Sequence, residues 1–207
     1  MPVKRITPPN WKVLLIGGSS GVGKTVVARQ LASQLSLSVL LLDDLRLALQ
    51  NATSAATNPD VHVFLRYSAE QWSDADSIFA DWIKVGRAMS APLNAVIRHH
   101  IVVPDVGQVI IEGDGILPTA IPRDFETDDV RAIFIVEQDQ ERLRKNMLSR
   151  GRGFESWEKS EQESFVHASW LYGQWLANEA DRLGLPVIEA WPQHNILERV
   201  LAAIAER

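Results

Sequence analysis

Residues 18–25 read Gly18-Ser19-Ser20-Gly21-Val22-Gly23-Lys24-Thr25, and no other stretch of the chain so narrows the folds open to it. The spacing is G-x-x-x-x-G-K-[ST]. The apolar run Val13-Leu14-Leu15-Ile16 precedes it and reads as a buried strand, while Val26 to Leu35 follows and reads as a helix. A glycine-rich turn between strand and helix lets successive backbone N–H groups converge on one point. The positive end of the helix dipole lies behind them. Such a turn is built for phosphate, with Lys24 reaching the β- and γ-phosphates and the Thr25 hydroxyl a ligand for Mg²⁺. ATP with Mg²⁺ is the expected pair, cradled by Gly18, Ser19, Ser20, Gly21, Val22, Gly23, Lys24 and Thr25.

The rest of the chain supplies a sheet around that turn. Five short apolar runs, Lys12–Ile16, Ser38–Leu42, Gln108–Glu112, Val130–Val136 and Pro186–Ala190, read as strands. Most are apolar nearly throughout, as strands covered on both faces should be. Helical patterns separate them, which predicts an α/β sandwich with a parallel sheet. Ligands of such sheets sit at the carboxyl ends of the strands. The chain has 207 residues, enough for one domain spanning 1–207. The absence of cysteine excludes disulfides, thiolate metal sites and a cysteine nucleophile. A net charge of −5 with no long basic run argues against nucleic acid or an anionic membrane as partner. No stretch approaches 18 apolar residues, and the first apolar run leads straight into the glycine turn instead of a signal-peptide cleavage site. A cytoplasmic protein, monomer or homodimer, is expected.

The segment between the second and third strands is long and mostly helical, and 45–107 is expected to form an insertion over the acceptor side. Ser68 and Gln71 have capping-box spacing. Ile78, Phe79, Trp82, Ile83 and Met89 recur at helical spacing, and Leu93, Val96, Ile97 and Ile101 continue the pattern. Gly86 and Pro92 are expected to bend or divide that run. Val61 to Tyr67 reads as a short strand or a loop packed on the core. After the fourth strand, Gln138 to Arg150 reads as a basic helix, punctuated by Gly151 and Gly153, and 138–165 is expected to act as a lid. Glu155 to Leu183 reads as a long helix, and residues from Ile196 as a final amphipathic one. The seven tryptophans are scattered in sequence, and Trp82 and Trp175 suit apolar helix faces.

Chemistry-bearing residues gather at the predicted strand ends. Asp43 and Asp44 follow the second strand, where a carboxylate orients a hydroxyl and accepts its proton. Asp43 is the better placed; the other is expected to cap the next helix or hold a magnesium-bound water. Glu112 ends the third strand in Val109-Ile110-Ile111-Glu112-Gly113-Asp114, a position expected to hold the Mg²⁺ shell or orient a nucleophile, with Asp114 as second choice. Arg144, Arg150 and Arg152 are candidates to close over transferred phosphoryl oxygens, with hinge freedom from the neighbouring glycines. Arg46, Arg66 and Arg98 are candidate contacts to the acceptor. His99 and His100 read as surface or core residues.

Together, Gly17 to Thr25, Leu42-Asp43-Asp44, Ile111-Glu112-Gly113 and the Arg144–Arg152 stretch resemble the small P-loop kinases of metabolites and nucleotides. The resemblance implies a three-layer α/β/α P-loop NTPase fold, a five-stranded parallel sheet in order 2-3-1-4-5, and a helical lid. It also implies that Ala190-Trp191-Pro192-Gln193 lies by the adenine. The Gly-Gly-Ser-Ser-Gly loop and Val109-Ile110-Ile111-Glu112-Gly113, with Leu117-Pro118 after it, look most like 2-phosphoglycerate kinases. The Asp after the second strand is shared with chloramphenicol phosphotransferases. The chain lacks the loop proline and the Asp-Gly-(Tyr/Phe)-Pro-Arg stretch of adenylate kinases and the Gly-Gly-Gly substrate motif of shikimate kinases. The expectation is an ATP- and Mg²⁺-dependent kinase whose partners are a nucleoside triphosphate and a small acceptor: a phospho-acid, a nucleoside or an antibiotic hydroxyl. The alternative is a nucleotide-binding switch or ATPase with no such acceptor.

Overall fold

The apolar runs do form one sheet. A computed structural model describes residues 10–121, 129–151 and 153–205. Its strands are β1 (Val13–Gly18), β2 (Ser38–Leu41), β3 (Val109–Glu112), β4 (Val130–Val136) and β5 (Val187–Glu189). They lie in the order β2-β3-β1-β4-β5, and every neighbouring pair is parallel. The order matches the expectation.

Alternate side chains of each strand enter different cores, as the period of two requires. Leu14, Ile16, Ile110, Ile133 and Ile135 pack with α1 (Lys24–Leu35), α5 (Gln140–Ser149) and α7 (Ile196–Ala205) on one face. Val13, Leu15, Val109, Ile111 and Phe134 pack on the other face with α4 (Ala75–Val102) and α6 (Lys159–Arg182). Two apolar cores on either side of one sheet make the three layers.

The insertion departs from its sequence reading. It opens with α2 (Leu42–Ala52), passes a 3-10 turn at Val63–Arg66 and the short α3 (Ala69–Trp72), and ends in α4. Of the two expectations for Val61 to Tyr67 the strand does not form; the segment is a connection containing the 3-10 turn, packed on the core through Val61, Val63, Phe64 and Tyr67. The Ser68–Gln71 capping box is present in both halves. Gly86 and Pro92 do not divide α4, which runs unbroken for 28 residues. Ile78, Trp82, Val85, Met89, Leu93 and Ile97 lie buried along it. Each such burial is worth roughly 1.5–3 kcal/mol, against about 3 kcal/mol for an internal proline. Gly86 serves packing: a Cβ there would stand 2.6 Å from the Leu117 side chain. Tyr67 donates a hydrogen bond to the buried Asp81 carboxylate (2.7 Å), tying the end of the 3-10 turn to α4.

Candidate active site

The loop between β1 and α1 has the backbone that its glycines predict. Gly18 lies at φ 144°, and a Cβ there would meet the Ile135 carbonyl oxygen at 2.3 Å, so only glycine fits against β4. The Lys24 side chain is 6% exposed and folds back over the loop, donating to the Ser19 carbonyl (2.8 Å) and to the Asp114 carboxylate. The loop is held from outside by two helices. Asn146 of α5 donates to the Gly21 carbonyl (3.0 Å), and Ser169 of α6 donates to the Ser20 carbonyl (2.9 Å). Tyr172, fully buried, donates to the Asp114 carbonyl (2.6 Å). Burial, reinforced by the Asp114 charge, pushes the Tyr172 phenol well above its ordinary range, so it remains a donor.

Sequence reasoning had no role for Asn146, Ser169 or Tyr172. The only signal was the spacing of small residues on a buried face, Ala168, Ser169 and Gly173, which lets α6 come close to the loop. At Gly173 a Cβ would stand 3.1 Å from the Ser19 hydroxyl.

Glu112 lies opposite both Ile16 and Leu41 in the sheet register, at the carboxyl edge between the phosphate loop and the start of α2. The Thr25 hydroxyl donates to its carboxylate (2.7 Å). Burial pushes the Glu112 carboxyl above the ordinary range, opposed by the Lys24 charge and the Thr25 hydrogen bond. A hydroxyl and a buried carboxylate held together beside a lysine are the oxygen donors a magnesium ion takes. Among the described residues no group of three or more acidic or histidine side chains is arranged to hold a metal by itself. Phosphate and water would complete the shell.

A raised carboxyl in the folded state adds stability below the ordinary glutamate range and loses it as pH climbs through the folded value. Ionising the buried Glu112 is thus a cost to the ligand-free fold. Glu112→Gln should leave the ligand-free melting temperature at neutral pH unchanged or higher. The same variant should weaken magnesium-dependent nucleotide binding by ~10–100-fold. Thermal melts with and without Mg²⁺–ATP check both arms.

Asp43 and Asp44 differ from their sequence reading in a specific way. The strand ends at Leu41, which is also the N-cap, and Leu42 already opens α2. Neither aspartate is the cap; both sit in the first helical turn, where carboxylates favour the helix dipole. The two then diverge. Asp43 lines a cavity of about 290 Å³ beside the phosphate loop, together with Ser20, Arg46, Asp114 and Gly115. Asp44 is exposed and does not line it. Arg46 pairs with Asp43 at 3.1 Å.

The apolar walls of that cavity are Leu42, Phe64, Trp72, Trp82, Val85, Met89, Trp157 and Phe165. The scattered tryptophans are therefore not all separate core residues: three of them meet here. Arg66 and Arg98 do not line the cavity. Arg66 is exposed and donates to the Pro59 carbonyl (3.2 Å), and Arg98 is exposed toward the far end of α4, which leads into β3. His99 and His100 lie at that same end, with His100 against the Gly107 carbonyl (3.0 Å).

Of the lid arginines, Arg150 reaches the loop, donating to the Ser20 hydroxyl at 3.3 Å. Arg144 is half-buried on α5 and does not line the cavity. Arg152 lies outside the described residues. Arg142, absent from the sequence reading, pairs with Glu137 (2.9 Å) and Asp139 (3.1 Å) and stands 5.4 Å over the Trp191 ring. Trp191 is 53% exposed in the loop after β5.

No protein-family model matches the chain. It is similar to the 2-phosphoglycerate kinase of Pyrococcus furiosus, 26% identical over 201 residues, covering 94% of this chain and 64% of that protein. It is likewise similar to the 2-phosphoglycerate kinase of Methanocaldococcus jannaschii, 24% identical, covering 94% of this chain and 63% of that protein. The chain thus spans less than two thirds of the length of the curated relatives it matches. In fold it is similar to a shikimate kinase from Bacteroides thetaiotaomicron (TM-score 0.54, 12% identity, covering 93% of this chain and 98% of that one). A deoxyadenosine kinase from M. mycoides with bound dATP gives a TM-score of 0.53 at 13% identity, covering 94% and 100% of the two chains. Sheet order and these likenesses together give the chain the three-layer P-loop fold that those kinases share.

Proposed function

We propose that the protein is a kinase that moves the γ-phosphoryl group of ATP to a hydroxyl of a small molecule held in the cavity beside Asp43. The observation that carries this reading is that one cavity is lined both by the phosphate loop, at Ser20, and by a carboxylate from the next strand–helix junction, at Asp43. A binding switch has no need of a chamber between the two.

Magnesium, held by Thr25 and Glu112, would neutralise charge on the β- and γ-phosphate oxygens. Lys24 binds the same oxygens on leaving Asp114, and the loop N–H groups orient them. Arg150, already at Ser20, lies where negative charge spreads over the transferred group. Asp43 accepts the proton of the acceptor hydroxyl as its oxygen bonds to the γ-phosphorus and the bond to the ADP oxygen breaks. Arg46 holds Asp43 in place through their ion pair. Trp191 and Arg142 offer flat surfaces at the far side, where the adenine belongs by the family resemblance. The relatives' name puts phosphorylated hydroxy acids among the acceptors to test. In this reading the protein uses no nucleic acid and no membrane; among the described residues no helix is long and apolar enough to cross one.

Thermal melting tests the nucleotide half directly. Mg²⁺–ATP at 100 times its dissociation constant should stabilise the fold by about 2.7 kcal/mol. An absence of any shift at millimolar Mg²⁺–ATP would contradict the reading.

A further inference from the structure

Five aromatic side chains face the cavity, and they come from four separate parts of the chain. Phe64 sits on the 3-10 turn, Trp72 on α3, Trp82 on α4, and Trp157 and Phe165 on the approach to and first half of α6. They touch one another around the space: Phe64 and Trp72 stack at 5.7 Å, Trp72 and Trp157 meet at 5.3 Å, and Trp82 meets Phe165 edge-on at 5.1 Å. Only Trp82 belongs to the fully buried core; the other four are partly exposed. A core that needed only to be filled would close on itself. This one leaves about 290 Å³ between ring walls, opening onto Asp43 and the phosphate loop.

The charge of the walls narrows the occupant further. Arg46 is the cation among the lining residues, and it is already paired with Asp43. Asp43 and Asp114 are carboxylates, each already paired with a cation, Arg46 and Lys24, so the lining with its partners is close to neutral and carries no cation to spare. A phosphorylated hydroxy acid brings roughly three further negative charges at neutral pH. It would need several free cations and would leave the aromatic walls facing a highly charged solute. A flat, uncharged ring satisfies them by stacking and edge contacts.

We infer that the acceptor is an uncharged, ring-bearing alcohol, bound with its ring between the aromatic walls and its hydroxyl at Asp43, and not a phospho-acid. This rests on the cavity being the acceptor site of the kinase proposed above. The reaction balances as ROH and ATP giving the phosphate monoester, ADP and one proton, which Asp43 takes.

The test uses the full chain with Mg²⁺–ATP and two sets of probes. The first is adenosine, thymidine and 2-(4-hydroxyphenyl)ethanol; the second is glycerate, 2-phosphoglycerate and 3-phosphoglycerate. ADP formation and tryptophan fluorescence are read for each. At least one ring-bearing alcohol should raise ADP formation tenfold or more and quench the fluorescence of the wall tryptophans. The acids should do neither. Trp72→Ala should raise the KM for that alcohol at least tenfold while the KM for ATP stays constant. Phe64→Leu, which keeps an apolar side chain but removes a ring, should raise the same KM by a smaller factor and guards against a folding defect in the first variant. Stimulation by an acid and none by the alcohols would overturn the inference, as would no response to either set while Mg²⁺–ATP still raises the melting temperature. A missing Mg²⁺–ATP shift would instead remove the kinase reading beneath it, and the inference with it.

Discussion

Lys24→Ala will reduce phosphoryl transfer by at least ~10²–10³-fold and leave a folded protein. Both halves follow from where the side chain sits. Its Nζ lies within the loop, between the Ser19 carbonyl and Asp114, where the proposed mechanism puts the phosphates. No neighbour can replace it, since Arg150 reaches only the outer Ser20 hydroxyl. The fold does not depend on it. The buried face of α1 is carried by Val27, Ala28, Leu31 and Ala32, and alanine is favourable at a helix position. Asp114, at 25% exposure, can take up water when its partner goes. A stability loss of about 1–2 kcal/mol is the expected scale. Melting and steady-state turnover on the same preparation separate the two effects. Normal turnover in a folded Lys24→Ala protein would refute the mechanism.

The second large effect belongs to Asp43. Asp43→Asn should lower kcat by ~10²–10⁴-fold, the usual contribution of a positioned proton acceptor, with little change in the KM for ATP. Its ion pair with Arg46 is 57% exposed on the aspartate side, and such pairs contribute about 0–1 kcal/mol to stability, so the variant should fold normally. Asp44→Asn is the matched comparison: one residue away, in the same helical turn, exposed and outside the cavity, it should behave as wild type. Equal losses in the two variants would assign the effect to the charge of the helix start and not to proton transfer.

Legibility in the sequence followed the range of the interactions. The five strands and the phosphate loop were readable because short, mostly apolar runs and the G-x-x-x-x-G-K-T spacing are local patterns, whereas the strand order came only with the family resemblance. Glu112 was readable for the same reason, as an acid that ends an apolar strand. The insertion was less so. Pro92 looks like a divider when local propensity alone is weighed, and the burial of Trp82, Met89, Leu93 and Ile97 against the sheet outweighs it. Between the two aspartates the sequence favoured Asp43 only by its nearness to the strand end, whereas in the structure Asp43 lines the cavity and Asp44 does not. The aromatic walls were invisible for a related reason. Phe64, Trp72, Trp82, Trp157 and Phe165 span a hundred positions of sequence, and only the packing of α6 against α3 and α4 brings them together. Arg66 and Arg98 carried no local sign of facing away.

The fate of the terminal phosphate tests the central claim most directly. With ATP labelled at the γ-phosphate, Mg²⁺ and an accepted alcohol, the label should appear in a phosphate monoester of that alcohol, in step with ADP, and Asp43→Asn should suppress its appearance. Label released only as inorganic phosphate, at a rate no acceptor changes, would show a nucleotide hydrolase or switch and contradict the account.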